Sequence, residues 1–212
     1  MLKNTTRSLI IVLFLLTGTL LTACDAIEQG SGLDEDSRLE VVVTTTFIGE
    51  VVEQVAGDIP QLTVLLEPGQ NPHSYQPTPQ DMVKITRADA IFVNGFDLEE
   101  FLDDLLKGSG TEAELIVVSE GIQPLEMPDL DHSEEKQDDA EEDHDHEIGA
   151  DPHVWFDPNN LVIWTENIVS ALSRLDPDHA DLYQANGQAY QDELTALDSW
   201  IRMEVERIPE EN

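Results

Sequence analysis

Basic residues are scarce: 10 Lys and Arg stand against 45 Asp and Glu in 212 residues, a formal net charge of -35 with the histidines neutral. That balance excludes a nucleic-acid binder, because neutralising phosphates needs clustered cations and the few present are scattered. A small cation would instead be drawn in. Cysteine is scarcer still: Cys24 stands alone, so no disulfide can form within the chain. Long apolar runs are also missing, since the stretch Leu9 to Leu16 is shorter than the roughly 20 residues that span a bilayer. Aromatic residues make up only 6%, yet 40% of the residues are hydrophobic, so a core can form despite the charge.

The amino terminus carries most of the remaining positive character. Lys3 and Arg7 precede the apolar run, and Thr17, Gly18 and Thr19 follow it, the layout of an export signal. Leu21-Thr22-Ala23-Cys24 resembles the lipobox of bacterial lipoproteins, in which the cysteine is lipidated and becomes the first mature residue. Residues 1–23 are therefore expected to be a lipoprotein signal peptide. Cys24 would be the lipid attachment site, holding the protein extracytoplasmically on the outer face of a bacterial cell membrane. Residues 24–38 are polar, glycine-containing and aperiodic, which suits a flexible tether. Folding is expected from Leu39.

From there the pattern alternates between strand and helix. Glu40 to Thr46 is β-branched, and Ile48, Val51, Val52, Val55 and Ala56 then recur on one helical face before Gly57. Leu62 to Leu66, Ala90 to Val93 and Leu115 to Val118 read as further short strands, with helices expected from Pro79 to about Ala88 and from Leu98 to Leu106. Continuous apolar strands separated by helices predict an α/β fold with a mostly parallel four-stranded sheet flanked by helices. Its strand-to-helix loops would gather on one edge, where such folds bind ligands. Asn159 to Leu175 reads as an amphipathic helix, and a second, longer helical pattern runs from Pro177 to about Arg207, including Leu197, Trp200 and Val205.

Two segments concentrate the chemistry. In Asn71-Pro72-His73-Ser74-Tyr75-Gln76-Pro77-Thr78-Pro79 the prolines stiffen the chain around His73. In Asp151-Pro152-His153-Val154-Trp155-Phe156-Asp157-Pro158 the apolar Val154, Trp155 and Phe156 are expected to anchor the segment in the core, and Asp157 to cap a helix begun by Pro158. A lone loop histidine can be merely structural, but two braced imidazoles suit a borderline divalent cation better than magnesium or calcium. Between them, residues 126–151 hold thirteen acids against Lys136 alone, a stretch expected not to pack. His132, His144 and His146 lie within it, as an auxiliary metal-binding loop or as incidental residues of a solubilising one.

With the lipobox at Cys24, the Asn71–Tyr75 and Asp151–Trp155 motifs, and Asn94-Gly95 after the third strand, the chain resembles the cluster A-I metal-binding lipoproteins. These are the solute-binding proteins of bacterial ABC importers for zinc and manganese. The resemblance implies a non-enzymatic protein that captures Zn2+, or alternatively Mn2+, and passes it to a membrane permease. It makes His73 and His153 the metal ligands of the first lobe, which covers residues 39–158 with the acidic loop 126–150. Residues 159–212 would be the helical region with the long interlobe helix. A second α/β lobe with the remaining ligands would follow it, so the sequence is expected to be truncated at that boundary. The protein is expected to be a monomer with no nucleic-acid partner. A surface adhesin or structural lipoprotein, or a zinc hydrolase using Glu67 or Asp157 as its general acid or base, are the contrasting readings.

Overall fold

The computed structural model describes residues 38–126 and 150–209, and its compact unit begins at Leu39. Cys24, His132, His144 and His146 lie outside the described residues. Four strands, β1 (Glu40–Val43), β2 (Gln61–Val64), β3 (Ala90–Val93) and β4 (Glu114–Val117), pair in parallel in the order β2-β1-β3-β4. Val41 stands opposite Leu62 on one side and Ala90 on the other. The strand order reverses between β1 and β3.

Helices cover both faces. They are α1 (Thr46–Ala56), α2 (Pro79–Arg87), α3 (Leu102–Ser109), α4 (Pro158–Leu175) and α5 (Ala180–Val205). Because side chains alternate along a strand, Val41, Val43, Ala90 and Phe92 enter one core with Ile48 and Val52 of α1, Trp164, Ile168 and Leu172 of α4, and Tyr183 of α5. Val42, Ile91 and Val93 enter the other, with Ile85 of α2 and Leu102 and Leu105 of α3. Burial on both faces is why Val41–Val43 of β1 and Ala90–Val93 of β3 are uninterrupted runs of apolar residues.

Local chemistry sets the helix ends. The Thr45 hydroxyl caps α1 by accepting from the Ile48 N–H, and Gly57 ends the helix with φ 55°. Thr78 and Asp81 form a reciprocal capping box on α2, with Pro79 in its first turn. Asp157 caps α4 as its sequence position predicts, accepting from the Asn159 N–H at 2.9 Å.

Two expectations are corrected. The helix expected from Leu98 starts only at Leu102; just before that interval Gly95, Phe96 and Asp97 take positive φ values of 90°, 52° and 57°, outside the right-handed helical region. Turns fill the interval. Phe156 does not anchor its segment: it is 79% exposed while Val154 is 6% exposed. The segment Val154–Phe156 is a single 3₁₀ turn, whose three residues point in three directions and cannot all face the core. Residues 127–149 of the acidic stretch lie outside the described residues; at its ends Glu126 and Ala150 form an antiparallel bridge and the Asp151 N–H donates to the Leu125 carbonyl at 2.8 Å.

The long helix follows its periodicity as a helix but not as a buried stripe. Tyr183, Gly187 and Leu194 of α5 are buried, whereas Leu197, Trp200 and Val205 are 42%, 54% and 57% exposed. α4 and α5 form an antiparallel hairpin in which the Asn159 amide of α4 reaches Asp198 of α5 at 3.2 Å. The last turns of α5 run past the start of α4 and have no helix beside them among the described residues. Within the hairpin the approach is close. A Cβ on Gly187 would fall inside the contact distance of the Val169 methyl. Gly187→Ala should therefore prise the helices apart and cost about 1–3 kcal/mol, read as a lowered urea midpoint with an unchanged slope.

Candidate metal centre

His73 and His153 are 80 residues apart in sequence, and the fold brings them to the same carboxyl edge of the sheet. Asn71 starts the process by accepting the His73 N–H on its side-chain oxygen at 3.0 Å, which turns Pro72–Ser74 into one 3₁₀ turn. Upstream, the Gln70 side chain accepts the Glu67 N–H at 2.6 Å. Downstream, the Tyr75 hydroxyl donates to Asp81 at 2.8 Å, and its ring meets Phe101 edge-on at 4.9 Å. The loop is thereby tied to the start of α2.

The opposite side is built on Asp151. Its Oδ1 accepts from the His153 N–H at 2.9 Å and lies 2.7 Å from the His153 Nδ1. The backbone N–H of His153, then its ring, hold the Asp151 carboxyl below its ordinary value. An ionised carboxylate can only accept, so Nδ1 carries the hydrogen, and in the neutral ring Nε2 is then the nitrogen able to coordinate. This carboxylate–imidazole arrangement is how metal-ligating histidines are commonly oriented. Trp155 fixes the ring from the side, edge-on at 5.3 Å, and is itself stacked on Phe47 at 4.9 Å.

The two Nε2 atoms face each other 3.4 Å apart. Two nitrogens at the usual zinc distance on a tetrahedral ion stand about 3.3 Å apart, so the pair is already spaced as two ligands of one cation. Both rings are exposed and border a cavity of about 340 Å³ between the loops after β1 and β2, lined also by Thr46, Phe47, Glu67 and Trp155. Among the described residues no group of three His, Cys, Asp or Glu gathers around one point. The site as described offers two nitrogens, with Glu67 on its wall.

Sequence reasoning located both histidines but missed what holds them. Asp151 was legible as part of a motif but not as the orienting partner of His153; an aspartate two residues before a histidine was the available signal. Tyr75 and Asp81 form a lock between loop and helix that only the folded chain shows. Glu99, buried beside the site, carried no sequence signal beyond its place in an apolar helix pattern.

A doubly wound α/β lobe with paired imidazoles on its carboxyl edge, followed by a long helix, is the architecture of a metal-binding solute-binding protein. The chain belongs to the family of ZnuA, the periplasmic component A of a zinc-uptake complex, whose profile matches residues 41–212. It is 35% identical to the iron-binding protein YfeA of Yersinia pestis, over 88% of this chain and 55% of that protein. It is 33% identical to the manganese-binding lipoprotein MntA of Halalkalibacterium halodurans, over 89% of this chain and 56% of that one. Among solved structures, a zinc-bound ZnuA lacking its residues 138–173 superposes with a TM-score of 0.70 at 28% identity, covering 81% of this chain and 60% of that one. The chain thus spans little more than half the length of these relatives, which are named for three different metals.

The lock at the base of the His73 loop is sensitive to acid. Burial pushes the Asp81 carboxyl up, but hydrogen bonds from the Thr78 backbone, the Thr78 and Tyr75 hydroxyls and Lys84 outweigh it and hold the group down at about 2 against an ordinary 3.8. A depressed carboxyl stabilises the folded form fully above its unfolded value and loses that contribution as pH falls through its folded one. Asp81 should accordingly contribute about 2 kcal/mol at neutral pH, lost between about pH 4 and pH 2. Asp81→Asn should lower the neutral-pH denaturation midpoint and flatten the acid limb of the stability curve relative to wild type.

Proposed function

We propose that this chain is the metal-gripping part of an extracytoplasmic solute-binding lipoprotein, which captures a divalent transition-metal ion and delivers it to an ABC permease. The observation that supports this best is the 3.4 Å separation of the His73 and His153 Nε2 atoms. Neutral imidazoles are good ligands for zinc and iron, and the acid excess of the whole chain draws cations toward it. Zn2+ is the ion we favour as cargo, because the spacing suits a tetrahedral centre and the matched family is described by zinc uptake. Mn2+ is the alternative, since a relative of comparable identity is named for it.

His73 and His153 serve as ligands in this reading, with Asp151 fixing the tautomer of His153. A closed zinc site takes four ligands, so two imidazoles give only moderate affinity. Cys24 is the lipid attachment site, and His132, His144 and His146 form an auxiliary loop that holds metal loosely. Nothing in this role requires bond chemistry: the ion is bound and released.

Titration calorimetry of the whole chain with Zn2+ and separately with Mn2+ tests the assignment. His73→Ala and His153→Ala should each weaken binding by more than about tenfold, a loss that even outer-shell partners produce. Binding left unchanged by either substitution refutes the ligand pair, and preferential binding of Mn2+ refutes zinc as the cargo. Asp151→Ala should weaken binding by about 10–100-fold, and the loss should be absent when His153 is already alanine.

A further inference from the structure

The crevice between the carboxyl ends of β1 and β3, where the strand order reverses, is where open α/β sheets ordinarily receive a ligand. In this chain it is filled by the protein's own carboxylate. Glu99 is 8% exposed. Its Oε1 accepts from the Thr44 hydroxyl at 2.6 Å and the Asn94 N–H at 2.7 Å, and its Oε2 from the Gly95 N–H at 3.2 Å. Burial pushes the carboxyl above its ordinary value while these donors act against that rise.

The backbone that Glu99 grips is strained. Gly95, Phe96 and Asp97 are three successive residues with positive φ, two of them with side chains that disfavour it. Such a run persists only where its surroundings over-determine it. Glu99 supplies that constraint at the entry of the turn, and a hydrogen bond from the Leu98 N–H to the Gly95 carbonyl, 3.2 Å, closes it.

The turn in turn sets Asn94, which is fully buried. The Asn94 amide nitrogen donates to the Gly95 carbonyl at 2.8 Å and to the Pro152 carbonyl at 3.1 Å, while its oxygen makes no hydrogen bond among the described residues. The orientation is forced, because two carbonyl oxygens can be met only by the donor end of the amide. From the other side, the Ser119 hydroxyl donates to the Asn94 carbonyl. The carbonyl immediately before His153 is thereby fastened to the ends of β1, β3 and β4 at once.

We infer that Glu99, acting through Asn94, is a positioning residue for His153, the buried strut that sets its imidazole at ligand distance from His73. This rests on the metal-capture reading for its purpose, but the strut itself can be observed without metal. Neither residue touches the ion. Asn94→Ala removes the last link alone, and Glu99→Gln replaces an acceptor of the Gly95 N–H with a second donor.

The test uses the whole chain and two readouts. Long-range nitrogen–proton correlation of the histidine side chains, on metal-free protein, reports whether His153 keeps its hydrogen on Nδ1. Zn2+ titration followed by tryptophan fluorescence reports affinity, Trp155 lying beside His153. Wild type should show the Nδ1–H form. Asn94→Ala should give a mixture of tautomers and a dissociation constant raised about tenfold, and that loss of affinity should be absent in a His153→Ala background. Glu99→Gln should do the same where it folds; if it does not, Asn94→Ala decides. Unchanged tautomer signals, or a loss of affinity that persists in full without His153, overturn the inference and leave metal capture standing. Altered tautomers in a chain whose wild type binds neither Zn2+ nor Mn2+ uphold the strut and remove the capture reading instead.

Discussion

Two imidazole nitrogens carried on separate loops are held 3.4 Å apart, and most of the carboxyl edge of this lobe is organised around that constraint. His73 and His153 cannot relax apart cheaply. One is carried on a proline-framed turn pinned by Asn71 and by the Tyr75–Asp81 lock, the other on a turn pinned by Asp151 and Pro152. What a metal site must supply in advance is geometry, since any ordering left until binding subtracts from affinity.

The supports differ in kind on the two sides. Around His73 they are local, with every bond falling between residues close in sequence apart from the edge-on contact with Phe101. Around His153 they are long-range: Asn94 reaches across 58 residues to Pro152, and Phe47 of α1 stacks on Trp155. The first half of the site can take shape with its own loop, whereas the second depends on the finished sheet.

The same difference explains what the sequence could reveal. Val41 to Val43 and Ala90 to Val93 are legible as buried strands because a sheet covered on both faces tolerates no polar interruption. His73 and His153 are legible because prolines restrict their neighbours, a property of the chain itself. Phe156 was misplaced because hydrophobicity says nothing about which way a 3₁₀ turn points a side chain. The turn between β3 and α3 was hidden because Phe96 and Asp97 adopt a conformation that their side chains disfavour, and the compensation comes from Glu99, whose partners Thr44 and Asn94 lie just past the ends of two different strands. Asp151 stood in plain view, but its pairing with the ring two residues on is a matter of turn geometry, not of composition.

One further consequence follows from the nitrogens lying 80 residues apart on loops that meet only in the native state. An ion held by both closes a large covalent-like ring through the chain, and an unfolded polypeptide has no reason to reproduce that closure. Occupancy and folding are therefore thermodynamically linked: the loaded lobe resists opening more than the empty one by an amount set by free ion concentration relative to the dissociation constant. If the lobe takes metal as proposed, its lifetime against proteolysis becomes a gauge of how much metal surrounds it.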